Sequence, residues 1–152
     1  MQYLHFSNNM QQPIGERMFK VDCVRSKLVK KFKSTFRPLQ NLCIDKSLLL
    51  FKGRLLFKQY NPKKRSQLGI KTFVTCDCTS CFVLDVLPYV GKQEKLEGKS
   101  CFGVTGDIVL KLMQDYMWKN HIVFMDNWFT SPLLFQKLAQ MQTGAVGTVR
   151  RD

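Results

Sequence analysis

Apolar positions along this chain follow two different periods, and the points where the period changes mark the elements. Between Met18 and Phe36, Val21, Val24, Leu28 and Phe32 recur at spacings of 3, 4 and 4, which predicts an amphipathic helix ended by Pro38. Lys27, Lys30, Lys31 and Lys33 fall mostly off that stripe. Leu42 to Asp45 and Leu48 to Phe51 then form short strand-like runs, up to the turn Lys52-Gly53-Arg54. Leu55 to Tyr60 predicts a second strand and β-branched Ile70 to Cys76 a third. Asp77 to Ser80 turns the chain, and Phe82 to Pro88 returns antiparallel. After a Gly-, Lys- and Glu-rich loop from Gly91 to Ser100, Asp107 opens a helix that carries Ile108, Leu112 and Tyr116 on one face and stops near Asn120.

The most informative stretch is His121 to Ser131, HIVFMDNWFTS. Ile122, Val123, Phe124 and Met125 make an apolar run of the kind expected for a strand buried on both faces, and the run stops at Asp126. Thr130 or Ser131 followed by Pro132 is a helix start, with a hydroxyl to cap free amides and proline in the first helical position. Leu134, Leu138 and Met141 carry that helix to about Gln142, Thr143-Gly144 closes it, and Ala145 to Val149 supplies a last strand. Antiparallel strands followed by alternating helix and strand predict an α/β fold with a mixed sheet and helices packed on it.

Composition adds one fact that changes the picture. The chain has 152 residues, 45% of them hydrophobic, enough for one domain with a core, and its net charge is +13. Residues 1–75 hold 16 Lys and Arg against Glu16, Asp22 and Asp45, while residues 76–152 hold 8 basic and 8 acidic side chains, so the excess lies in the first half. Such a half is the footprint of a surface that meets phosphate or an anionic membrane; a solvated lysine-rich face is the plainer alternative. There is no run of 18 apolar residues and no secretory leader pattern, so neither a membrane partner nor export is expected. The six cysteines are accordingly read as reduced thiols.

Asp45 closes one short strand as Asp126 closes another. If the two strands are neighbours, their carboxylates converge at one end of the sheet, where chemistry in open α/β sheets collects. Convergent carboxylates suit hard cations such as Mg²⁺, and a pair of such ions about 3.5 to 4 Å apart can drive phosphodiester chemistry. An acid at a strand end is also commonly just a turn or cap residue. Other constellations are weaker. Cys76, Cys78 and Cys81 form C-x-C-x-x-C, with Cys101 or His121 to complete a set of four, but Cys76 lies in an alternating strand and the others flank a turn, so zinc is not expected. No Ser/His/Asp or Cys/His arrangement is visible. The cluster Pro62 to Arg65 serves either nuclear import or a strand connection.

Four blocks carry a resemblance: NLCIDKSLLLFKGRLLFKQYNPKKRSQLGIK (Asn41 to Lys71), VLPYVGK (Val86 to Lys92), VFMDNWFTSPLLF (Val123 to Phe135) and TGAVGTVR (Thr143 to Arg150). In this order they closely resemble the piggyBac-like transposases and the domesticated proteins derived from them. The resemblance implies an RNase H-like catalytic domain over residues 41–152, cut off before its last catalytic helix. Before it, residues 1–40 are the end of a helical DNA-binding and dimerisation region that implies a homodimer. It implies metal-dependent cleavage and transfer of DNA strands in the nucleus, with Asp45 and Asp126 as the first two of three acidic ligands for Mg²⁺. Lys52, Arg54, Lys58, Lys63, Lys64 and Arg65 fall on basic positions facing DNA phosphates. Trp128 and Phe129 fall on an aromatic pair that either wedges the strand against the next helix or stacks on bases. The third acid and the family's Cys-rich module find no match here, and Lys46 replaces the acidic residue usual beside the first aspartate. One position on from Asp45, Lys46 should point to the opposite face of the strand. The expectation is a transposase catalytic fragment that does not cleave as it stands; the alternatives are a non-catalytic DNA-binding module and a degenerate product.

Overall fold

The computed structural model describes residues 6–62, 68–91 and 100–149. Its long elements are α1 (Phe19–Thr35), β1 (Asn41–Leu50), β2 (Gln59–Tyr60), β3 (Leu68–Asp77), β4 (Val83–Pro88), α2 (Gly103–Met113), β5 (Ile122–Met125), α3 (Pro132–Gln140) and β6 (Gly144–Gly147). The strands form one mixed sheet of six among the described residues, in the order β2-β3-β1-β5-β6, with β4 paired to β3. β1 runs antiparallel to β3, with Ile44 opposite Thr75 and Lys46 opposite Phe73. On its other edge β1 runs parallel to β5, Leu42 beside Val123 and Ile44 beside Met125. β5 is parallel to β6 in turn.

Alternation along the strands divides the sheet into two unlike faces. Leu42, Ile44, Phe73, Val123 and Met125 point to one face and are at most 6% exposed. There they pack with Ile108, Val109, Leu112 and Met113 of α2 and Leu134 and Leu138 of α3. Fully burying an aliphatic or aromatic side chain of this kind stabilises by about 1.5 to 3 kcal/mol, so this single layer of contacts organises the domain. Cys43, Asp45, Ile122 and Phe124 point to the other face and are half-buried or exposed. β5 is therefore buried on one face only, not on both as its four apolar residues predict. A run of four apolar residues cannot by itself distinguish a strand covered on both sides from one covered on one.

The helix α1 has no fully buried residue. It is held against the β4 edge by polar and aromatic contacts. Lys33 Nζ reaches Asp85 at 2.6 Å and Asp115 at 2.8 Å, and Phe36 stacks on Phe82 with ring centroids 4.7 Å apart. Burial lowers the Lys33 pKa, but the two carboxylates outweigh it and the net shift is upward. On the predicted stripe, Val21 remains 44% and Leu28 50% exposed.

Several boundaries differ from the expected ones, each for a local reason. The two short runs around Asp45 are one continuous strand, because β3 supplies antiparallel partners from Leu42 to Leu50. Leu55 to Lys58 is not strand; only Gln59 and Tyr60 pair, with Gly69 and Leu68. α2 starts at Gly103 rather than at Asp107, whose carboxylate instead accepts from the Ser100 hydroxyl ahead of the helix. At α3, proline occupies the first turn as expected, but the Ser131 hydroxyl makes no capping bond. The helix is closed by Gln142 in the left-handed region (φ 50°), with Thr143 N–H donating to Leu138 O at 3.0 Å; Gly144 already belongs to β6. That 6→1 closure, with Gln142 N–H donating to Ala139 O at 3.1 Å inside it, needs one left-handed residue, and here glutamine adopts it. Lys63, Lys64, Arg65 and most of the Gly91 to Ser100 loop lie outside the described residues.

Candidate functional site: an acidic pair at the strand ends

The parallel pairing of β1 and β5 is in register through Ile44 and Met125, the last residue of β5. One residue further along both chains come Asp45 and Asp126, so the two acids occupy neighbouring positions on neighbouring strands, which run about 4.8 Å apart. Both continue the face that carries Cys43 and Phe124, and both are exposed. The 80 residues between them in sequence are closed up by a hairpin and a helical crossover, which return β5 to the edge of β1.

The two carboxylates are held differently. Asp126 ends β5 in a tight turn: its carbonyl accepts from Phe129 N–H at 3.0 Å and from the Thr130 hydroxyl at 3.3 Å. Its Oδ1 accepts from the Asn127 amide at 2.7 Å and from the Thr148 hydroxyl at 3.2 Å. Thr148 follows Gly147, where an added Cβ would collide with the Thr130 side chain; the glycine lets β6 pass close under the turn. Asp45 lies mid-strand opposite Val74, and its carboxylate makes no hydrogen bond or ion pair among the described residues. Beside it on the same face, Cys43 and Cys76 are cross-strand partners. Burial, then the neighbouring Cys76 and Cys78 thiols and Asp45, push the Cys43 thiol up to about 11.

Lys46 turns to the core-side face, as alternation requires, with its ammonium 5.1 Å from the centre of the Trp128 ring. It does not reach over the acids. Trp128 lies nearly parallel to Phe73, at 12° and 5.5 Å, and Phe129 is 1% exposed, so this aromatic pair wedges the turn against the sheet. Lys52 and Arg54 are exposed on the loop after β1. Lys58 folds back to donate to Gly53 O at 3.1 Å and so braces that loop. Sequence reasoning missed Thr148 and Asn127 as supports of Asp126: the Asn127 amide contact is local, at the next residue, whereas Thr148 is 22 residues away and meets Asp126 only because β6 lies beside β5.

A family profile described as Transposase IS4 matches residues 1–152. The chain belongs to that transposase family. It is 28% identical over 153 aligned residues to the human piggyBac transposable element-derived protein 3, covering 98% of this chain and 25% of that protein. Identity is also 28% to the human chimeric ERCC6-PGBD3 protein, covering 98% of this chain and 14% of that one. Among solved structures it superposes on a piggyBac transposase in a synaptic complex with hairpin DNA, with TM-score 0.90 and 26% identity, over 99% of this chain and 32% of that one. This transposase-family chain is thus piggyBac-like, and it spans a quarter or less of the length of these curated relatives.

The donor set fits a hard divalent cation. Asp45 and Asp126 offer carboxylate oxygens at adjacent positions, and among the described residues Asp45 has no partner and no ammonium or guanidinium pairs with either acid. Among the described residues no group of three or more His, Cys, Asp or Glu side chains is gathered for a metal. Of the residues considered for zinc, Cys76 Sγ lies 3.9 Å from Cys43 O and His121 Nδ1 3.0 Å from Leu39 O, while Cys78, Cys81 and Cys101 are exposed free thiols. Among the described residues no helix is long and apolar enough to cross a membrane.

Proposed function

We propose that this chain carries the acid-bearing half of an RNase H-like transposase catalytic domain, and that Asp45 and Asp126 hold one Mg²⁺ between them. The observation that supports this most is the in-register pairing of β1 with β5, which gives both acids the same rim of one sheet. A bound divalent ion would supply Lewis-acid polarisation of a phosphodiester oxygen. Asn127 and Thr148 would orient the Asp126 carboxylate, and exposed Asp45 would meet the ion from water. Two carboxylates carry too little charge for a two-ion site, so the 152-residue chain binds metal weakly and does not cut DNA by itself.

The same reading assigns DNA binding to the basic first half, through Lys52, Arg54, Lys58, Lys63, Lys64 and Arg65 contacting backbone phosphates, and a nuclear location through the cluster ending at Arg65. It takes residues 1–40 as part of a helical DNA-binding and dimerisation region, which the exposure of Val21 and Leu28 on α1 supports. A second reading, a DNA-holding module without chemistry, is favoured by the confinement of the +13 charge to residues 1–75.

Incubating the purified chain with duplexes carrying piggyBac-type ends and Mg²⁺ or Mn²⁺ separates the two. The expected result is metal binding that Asp45→Asn and Asp126→Asn each remove, without nicking. Metal-dependent nicking that disappears in Asp126→Ala would overturn the inactivity, and metal binding indifferent to both substitutions would overturn the site.

A further inference from the structure

On the core-side face of the sheet, beyond the reach of α2 and α3, Lys46 and Lys71 approach the same Trp128 ring. Lys71 Nζ stands 4.7 Å from its centre, 4.7 Å from that of Tyr89 and 5.0 Å from that of Phe73, and Lys46 Nζ stands 5.1 Å from the Trp128 centre. Ring faces attract ammonium groups, so the aromatic cluster fixes both cations in place without neutralising either. Among the described residues neither lysine has a carboxylate partner. Burial, and then the Lys46 charge, pull the Lys71 pKa below the ordinary lysine value, in keeping with a positive spot that has no resident anion. Both lysines open into a cleft of about 160 Å³ between β1, β2 and β3, lined also by Ser47, Gln59, Tyr60 and Asn61.

We propose that this cleft binds a phosphate group between Lys46 and Lys71. Lysine is a point-charge binder of phosphate, and a tetrahedral oxyanion has enough oxygens to meet two ammonium groups at once. The site is independent of the acidic pair. Lys46 follows Asp45 directly, but the strand turns it to the opposite face, so a phosphate here does not touch a metal held by Asp45 and Asp126. The phosphate comes either from a nucleic-acid backbone or from free phosphate in solution, and the two have the same chemistry at the lysines.

The chain has two tryptophans, so Trp118→Phe leaves Trp128 as the sole reporter. Its fluorescence is followed while inorganic phosphate replaces chloride at constant ionic strength. The expected result is a saturable change with phosphate and none with chloride, weakened about tenfold or more by Lys46→Met or Lys71→Met. Lys46→Glu gives Lys71 a partner inside the chain and abolishes the response while the thermal melt is preserved; it carries the test if removing Lys71 disturbs the fold. A short duplex that displaces phosphate identifies the backbone as the source, and one that does not identifies free phosphate. Equal responses to chloride and phosphate, or undiminished phosphate affinity in a folded Lys46→Glu chain, would overturn the proposal.

Discussion

Replacing Asp77 by alanine tests whether acids at strand ends in this fold have been correctly sorted into structural and chemical ones. Asp77 ends β3 as Asp126 ends β5, but it is 0% exposed and points to the core-side face. One oxygen accepts from Leu39 N–H at 2.9 Å; the other accepts from the Thr79 and Ser80 amides at 3.1 and 2.8 Å and from the Ser80 hydroxyl at 2.8 Å. It thus ties the β3–β4 turn to the segment that leads into β1. Thr79 and Ser80 are exposed and rehydrate when the carboxylate is removed. Leu39 N–H and the emptied volume do not recover so easily. Charge-assisted bonds contribute about 1.5 to 3 kcal/mol each and do not add fully, so Asp77→Ala should lose about 3 kcal/mol. For a chain of this size that is a fall of about 6 to 12 °C in Tm. Burial raises the Asp77 pKa, but the Ser80, Leu39 and Thr79 donors outweigh it and hold the carboxyl below its ordinary value of 3.8. A depressed folded pKa means the stabilisation is complete above the unfolded value and fades as pH falls through the folded one. Urea melts of wild type and Asp77→Asn should therefore differ most near neutrality and converge in acid below the carboxylate range. A Tm for Asp77→Ala within about 1 °C of wild type, or a difference that does not shrink in acid, would refute this assignment.

Asp45→Asn is the matching control: an exposed carboxylate with no partner among the described residues should change stability by no more than about 0.5 kcal/mol, measured in the same urea melts. Lys33→Met should cost about 1 to 2 kcal/mol by leaving half-buried Asp85 without its cation. Because the Lys33 pKa is raised above 10.5, the contribution is complete below the unfolded value and lost as pH rises through the folded one, so melts above pH 10 should show the wild type approaching the variant. Mass spectrometry after brief alkylation at pH 8 should find exposed Cys23 and Cys101 modified and Cys43 spared, since its thiol is held near 11; early modification of Cys43 would contradict that shielding. Binding to a short duplex should weaken steeply with salt. Lys52→Ala or Arg54→Ala should each lower the salt slope by about one, whereas Lys58→Ala should change it less because Lys58 is engaged with Gly53. A slope unaltered by the first two would remove that loop from the interface.

Local sequence determined most of the elements of this protein. The 3- and 4-residue spacing of Val21, Val24, Leu28 and Phe32, the alternation through β3 and β4, and Pro132 after Ser131 each encode a conformation that a short peptide segment prefers for its own steric and hydrogen-bonding reasons. Alternation also determined that Lys46 and Asp45 lie on opposite faces once β1 is a strand. Residues distant along the chain decided the rest. Asp45 and Asp126 share a rim only because β5 pairs parallel to β1 in register at Ile44 and Met125; a slip of one residue would have turned one acid into the core. The single buried face of β5, the support of Asp126 by Thr148 and the meeting of Lys46 with Lys71 over Trp128 arise the same way. Each depends on which strand or helix becomes the neighbour, and that is set by how the whole apolar layer packs, not by any window of adjacent residues.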